Sequence, residues 1–282
     1  MIRTVLFDFT ASRFVLFSVL ISTLLSCTAE KEKQNSYYQK LQHWDSLTVK
    51  DPARILDSLG YVNNKDLNKE NLMYKSLLTC IASYWNETSF NDSTVMPKVA
   101  DWYRKNSDYR NLSRALLFSS NVKYFDKWMP NSITYINLLE ADSVFYKNKV
   151  NDILTEAVLN KSIGGFVSTY EGFSEIKTMT HAITDAEKYY DKAIELFSRL
   201  GLDREVQSLL LDKIVMYGDS KDEVDGGVTK KNLFSQISSY DTLDIDIRKR
   251  FYTLMIKYYT SSENYEQVLH YCNKSFSELF YH

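Results

Sequence analysis

Few side chains in this 282-residue sequence stand at spacings that chemistry could use. His181 and Asp185 are four apart, which on a helix puts both on one face as half of a metal site. A tetrahedral centre needs further ligands, and no second pair of this kind follows, so the two read as solvated helix residues. Asp152 with Glu156, and Glu171 with Glu175, have the spacing of a general acid and base. Exposed helix faces produce the same spacing without any reaction to perform. The acidic stretch 219–227 has the charge of a calcium loop but not its alternating ligand positions before the turn glycine. A glycine-rich phosphate loop, a Gly-x-Ser-x-Gly elbow and a Cys-x-x-Cys pair are all missing from the sequence. These residues predict no enzyme, no metal and no cofactor.

The remaining reactive candidate is a cysteine near the start. Arg3 and Arg13 precede an apolar run, residues 14–25, that ends in Leu24, Leu25, Ser26 and Cys27. A run this short falls below the ~20 residues needed to cross hydrocarbon, so it reads as the core of a cleavable export signal. Leu-Leu-Ser-Cys is similar to the lipobox of bacterial lipoproteins. That resemblance implies a signal peptide over 1–26, acylation of Cys27 as the new first residue, and a lipid anchor without a transmembrane helix. Thr28 in place of Asp is the pattern that implies outer-membrane rather than inner-membrane placement. Residues 27–35, with the run Glu30, Lys31, Glu32, Lys33, read as a flexible charged tether. The other two cysteines, Cys80 and Cys272, lie in apolar helical patterns and read as buried free thiols.

The elements that must carry such residues are helices. Only 8 Gly and 3 Pro leave few sharp turns, while 21 Tyr, 15 Phe and 4 Trp supply bulk for helix packing. A formal charge of −2 gives no basic field for phosphate backbones, which excludes nucleic acid as the expected partner. The clearest pattern is 185–218. Ala186, Tyr190, Ala193, Ile194 and Phe197 recur at steps of three and four, Gly201 ends one helix, Asp203 can cap the next, and Val206, Leu209, Leu210 and Ile214 continue the stripe.

The rest of the chain reads the same way. Asp51 ahead of Pro52 opens a short helix to Gly60, 63–71 is polar linker, and helices follow from Leu72, from Asp92 or Ser93, from Leu112, after Pro130, after Asn151, over 230–240, over 247–259 and over 264–280.

Small Ala186, bulky Tyr190 and small Ala193 resemble the second helix of a tetratricopeptide repeat (TPR). First helices align as Leu77/Cys80/Ile81/Tyr84, Leu116/Ser119/Ser120/Lys123, Asn160/Ile163/Gly164/Val167, Leu210/Lys213/Ile214/Tyr217 and Tyr252/Met255/Ile256/Tyr259. Their third members lie 39, 44, 50 and 42 residues apart, near the ~34 to 47 range of helical-pair repeats. The proline that closes each TPR is missing, with Ser198 in its place.

The resemblance implies an all-α, degenerate TPR-like solenoid over 36–282. It also implies a protein- or peptide-binding scaffold of the bacterial envelope, of the kind that forms the sensing part of some regulatory systems. A SusD-type glycan-binding lipoprotein and a helical envelope hydrolase are the alternative classes. On the repeat alignment the ligand groove is lined by Arg114, Asn121, Tyr124, Lys161, Arg250 and Lys257, whose cations would suit an acidic or carboxylate-ended peptide.

Overall fold

The computed structural model describes residues 28–88, 90, 94–122, 132–170, 179–217, 232–237 and 243–280, with the side chains of 121–122, 132–135, 169–170, 179–184 and 278–280 outside that description. The fold is all-α, and no strand occurs among the described residues. It divides into two compact units, residues 1–128 and 129–282.

Unit 1 holds α1 (28–47), α2 (Pro52–Gly60), α3 (Lys69–Trp85), α4 (Val95–Lys105) and α5 (Tyr109–Val122). Asp51 caps α2 by accepting from the Arg54 N–H, and Pro52 takes the first helical position, where a missing N–H costs nothing. Ile55 and Leu59 are the buried face of α2. The 63–71 segment is more structured than a polar linker. It forms a 3-10 turn, Asn64–Asp66, and then α3, whose first N–H groups are met by Asn68. Helix α3 packs on α2, α4 and α5 at once. This explains why Leu77, Leu78, Cys80 and Ala82 are all fully buried on a helix with no clear polar side.

Unit 2 holds α6 (Ser132–Lys147), α7 (Ile153–Tyr170), α8 (Met179–Arg199), α9 (Asp203–Met216), a short α10 (232–236), α11 (Ile245–Ser261) and α12 (Tyr265–Phe280). Helices adjacent in sequence pack as hairpins, α7 on α8 and α11 on α12, while α7 also touches α9 and α9 touches α11. Contact between alternate helices is the packing order of a stacked array of hairpins. The turn between α8 and α9 closes at Gly201, whose φ of +66° suits a residue without a Cβ. Leu202, not Asp203, is the cap of α9, and Asp203 sits in its first turn, where a carboxylate favours the helix dipole. Ala186 and Ala193 are fully buried with Tyr190 between them at 4 % exposure. Leu210, Leu211, Ile214, Phe251, Tyr252 and Tyr271 gather α9, α11 and α12 into one core.

Two expectations fail at the ends of the chain. Residues 28–35 are helical rather than a flexible tether, because Gln34 is buried and bonded to the start of α3. Cys272 is exposed, not buried. It stands on α12 beside exposed Leu269 and Phe276, on a different face from buried Tyr271. Cys80 is buried as expected, and burial pushes its thiol up to about 12.

Candidate functional site

The cations expected to line a groove are engaged in interhelical ion pairs. Arg114 is 5 % exposed on α5, and its two guanidinium nitrogens reach both oxygens of Asp45 on α1, at 2.9 and 2.5 Å. The Tyr74 hydroxyl of α3 donates to the same carboxylate at 2.8 Å. Arg114 is therefore not a groove residue. Its forked geometry matches a carboxylate in two bonds, and burying it without that partner would cost several kcal/mol. Burial by itself raises the Asp45 pKa, but the charge of Arg114 and the bonds from Arg114 and Tyr74 outweigh it and hold the carboxyl below its ordinary value. Tyr74 is pushed up, first by burial and then by the charge of Asp45.

Along α7, α9 and α11 the charges are partly exposed. Lys161 of α7 donates to Glu205 of α9 at 2.6 Å, with side-chain exposures of 25 % and 10 %. Arg250 of α11 pairs with Asp212 of α9 and donates to the Ser208 hydroxyl at 3.4 Å. Each pair joins one helix of the row to the next, so part of its attraction is spent on packing. Lys257, two turns beyond Arg250 on α11, is exposed. Asn121 lies in the last turn of α5 with its side chain outside the described residues, and Tyr124 lies outside them altogether.

A third charged cluster was missed by the sequence reading. Lys213 occupies a packing position of the repeat alignment and is 5 % exposed. Its ammonium is held by Asp191 at 2.5 Å and Glu187 at 3.2 Å, both from α8. The Tyr217 hydroxyl donates to Glu187 at 2.7 Å, and burial followed by that bond raises the phenol. Glu187 and Asp191 are four apart on the polar face of α8, and that spacing is the one hint the sequence offered.

Of the pairs with catalytic spacing, the described members are engaged separately. Asp152 caps α7 by accepting from the Thr155 N–H at 3.0 Å, while Glu156 accepts from the Tyr146 hydroxyl at 3.4 Å. Asp185 accepts from Lys188 at 3.1 Å, and the side chain of His181 is outside the described residues, as are Glu171, Glu175 and the 219–227 stretch. Among the described residues no three His, Cys, Asp or Glu side chains are grouped to hold a metal. No helix among them is long and apolar enough to cross a membrane. No family model, characterised protein or solved structure matches this chain.

Proposed function

We propose that the chain is a TPR-like, protein- or peptide-binding scaffold of the bacterial envelope, anchored at the outer membrane through lipid on Cys27. The observation that supports the scaffold is the row α7, α9, α11, in which each helix touches the next and brings half-buried charge to the junction. Stacked helical hairpins offer successive helices as one surface, and such a surface recognises an extended partner through many modest contacts. A carboxylate-bearing peptide suits this row. Lys257 is exposed, and Arg250 has five N–H donors, of which Asp212 and Ser208 take only part. Arg114 takes no part in the proposal.

The test is binding of an envelope partner, captured by crosslinking and then purified, to the parent protein and to Lys257→Glu. Lys257 is exposed, so its reversal should leave helicity and melting temperature unchanged. Partner affinity should fall more than about tenfold, or ~1.4 kcal/mol. Retained affinity contradicts the assignment of this face. Arg250→Glu is a poorer variant, because it would set two carboxylates against each other at Asp212 and weaken the fold as well as binding.

A further inference from the structure

Helix α1 is already helical at residue 28, the neighbour of Cys27 in sequence, and is fixed to unit 1 by Gln34. The Gln34 amide does this. Its nitrogen donates to the Asp66 carbonyl at 2.8 Å and to Glu30 at 2.7 Å. Its oxygen accepts from the Asn68 N–H and from the Asn71 amide, both at 2.9 Å. Asn71 also donates to the Gln34 carbonyl at 2.8 Å, and Lys33 stands 3.7 Å from Asp66. Gln34 and Asn71 are 9 % and 1 % exposed, so the latch is closed to water that would compete with it. The turn Asn64–Asp66 and the start of α3 are thereby held at the same end of unit 1 as residue 28. Tyr61, three residues before that turn, is 91 % exposed, and Lys31, Lys33, Lys65 and Lys69 are exposed as well.

We infer that this end of unit 1, the opening turns of α1 with segment 61–69, rests on lipid headgroups and fixes the orientation of the unit on the bilayer. The inference rests on acylation of Cys27. The six helical steps from residue 28 to Gln34 rise only about 9 Å, comparable with the headgroup layer, and an acylated Cys27 would adjoin residue 28 directly. An exposed tyrosine has the amphipathic ring that settles at this boundary, and lysine stems can lie along it with their ammonium groups in water. The same segments also carry Glu30, Glu32, Asp66 and Glu70. Net attraction to anionic lipid is therefore not the cause. The anchor and the stiffness of the latched helix set the orientation.

The experiment uses the full acylated chain on vesicles of phosphatidylethanolamine and phosphatidylglycerol that carry a headgroup-linked quencher. On a Cys272→Ser background, which removes the exposed thiol, a dye is placed at Tyr61→Cys or at Lys50→Cys. Lys50 lies beyond the far end of α1, about 20 Å further along the helix than Gln34. Quenching should be several-fold stronger at 61 than at 50, and Gln34→Ala should narrow the difference. Equal quenching with the protein still attached overturns the fixed orientation and leaves the anchor standing. Failure of the parent chain to attach at all overturns the anchor, and this inference with it.

Discussion

Gly164 of α7 and Tyr190 of α8 are in such close contact that a Cβ added at Gly164 would lie 3.0 Å from Cδ1 and 3.1 Å from Cε1 of the ring. The ring cannot swing away freely, being 4 % exposed with its hydroxyl 3.3 Å from that of Ser168. The neighbouring Gly165 has ordinary room, with the Tyr190 oxygen 3.7 Å from its added Cβ. Gly164→Ala should therefore destabilise the protein by about 1–3 kcal/mol through overpacking. Gly165→Ala should stabilise it by roughly 0.5–1 kcal/mol through helix propensity. Thermal melts of the two variants should move in opposite directions, and a shift in the same direction contradicts this packing.

Ala193 lies on the same buried face of α8, fully covered. Ala193→Glu would bury an unpaired charge at a cost of order 3 kcal/mol. A large drop in melting temperature is expected, and an unchanged melt would mean that this face is open to solvent.

The Asp45–Arg114 pair joins α1 to α5 from the interior of unit 1. Arg114→Met should cost about 3–5 kcal/mol because Asp45 is left buried without its cation. Since the folded pKa of Asp45 is below its ordinary value of 3.8, its contribution is fully present above the unfolded pKa and is lost as pH falls through the folded one. Denaturant melts from pH 6 to 2 should show the parent losing stability in the acid limb more steeply than Arg114→Met. Parallel limbs would contradict the assignment.

Thiol reactivity separates the two cysteines beyond Cys27. Exposed Cys272 should react with a maleimide in the native protein, while Cys80, buried and with its pKa raised to about 12, should react only after unfolding. Peptide mapping of the native adduct checks this, and labelling at Cys80 would contradict the packing of α3.

What the sequence made legible were features set within one helix or turn. Asp51 and Pro52 announce a helix start, Gly201 announces a stop, and Ala186, Tyr190 and Ala193 announce a tightly packed face. What it concealed depended on partners far along the chain. Gln34 looks like part of a charged tether until Asp66, Asn68 and Asn71 are brought against it. Arg114 sits at a groove position by counting, yet Asp45, 69 residues away, draws it into the interior. Lys213 in a packing position looks like a defect of the repeat until α8 supplies two carboxylates. Periodicity records that a residue is on a face, and only the tertiary arrangement decides whether that face meets solvent or a counter-charge.

The central claim, a helical scaffold held to a membrane by lipid, is tested most directly by intact mass spectrometry of the protein purified from the membrane fraction of a Gram-negative host. The account predicts a chain beginning at Cys27 and heavier than residues 27–282 by two or three acyl chains with their glycerol, and a Cys27→Ser protein released to the soluble fraction. A membrane-bound chain still beginning at Met1 and carrying no lipid would contradict it.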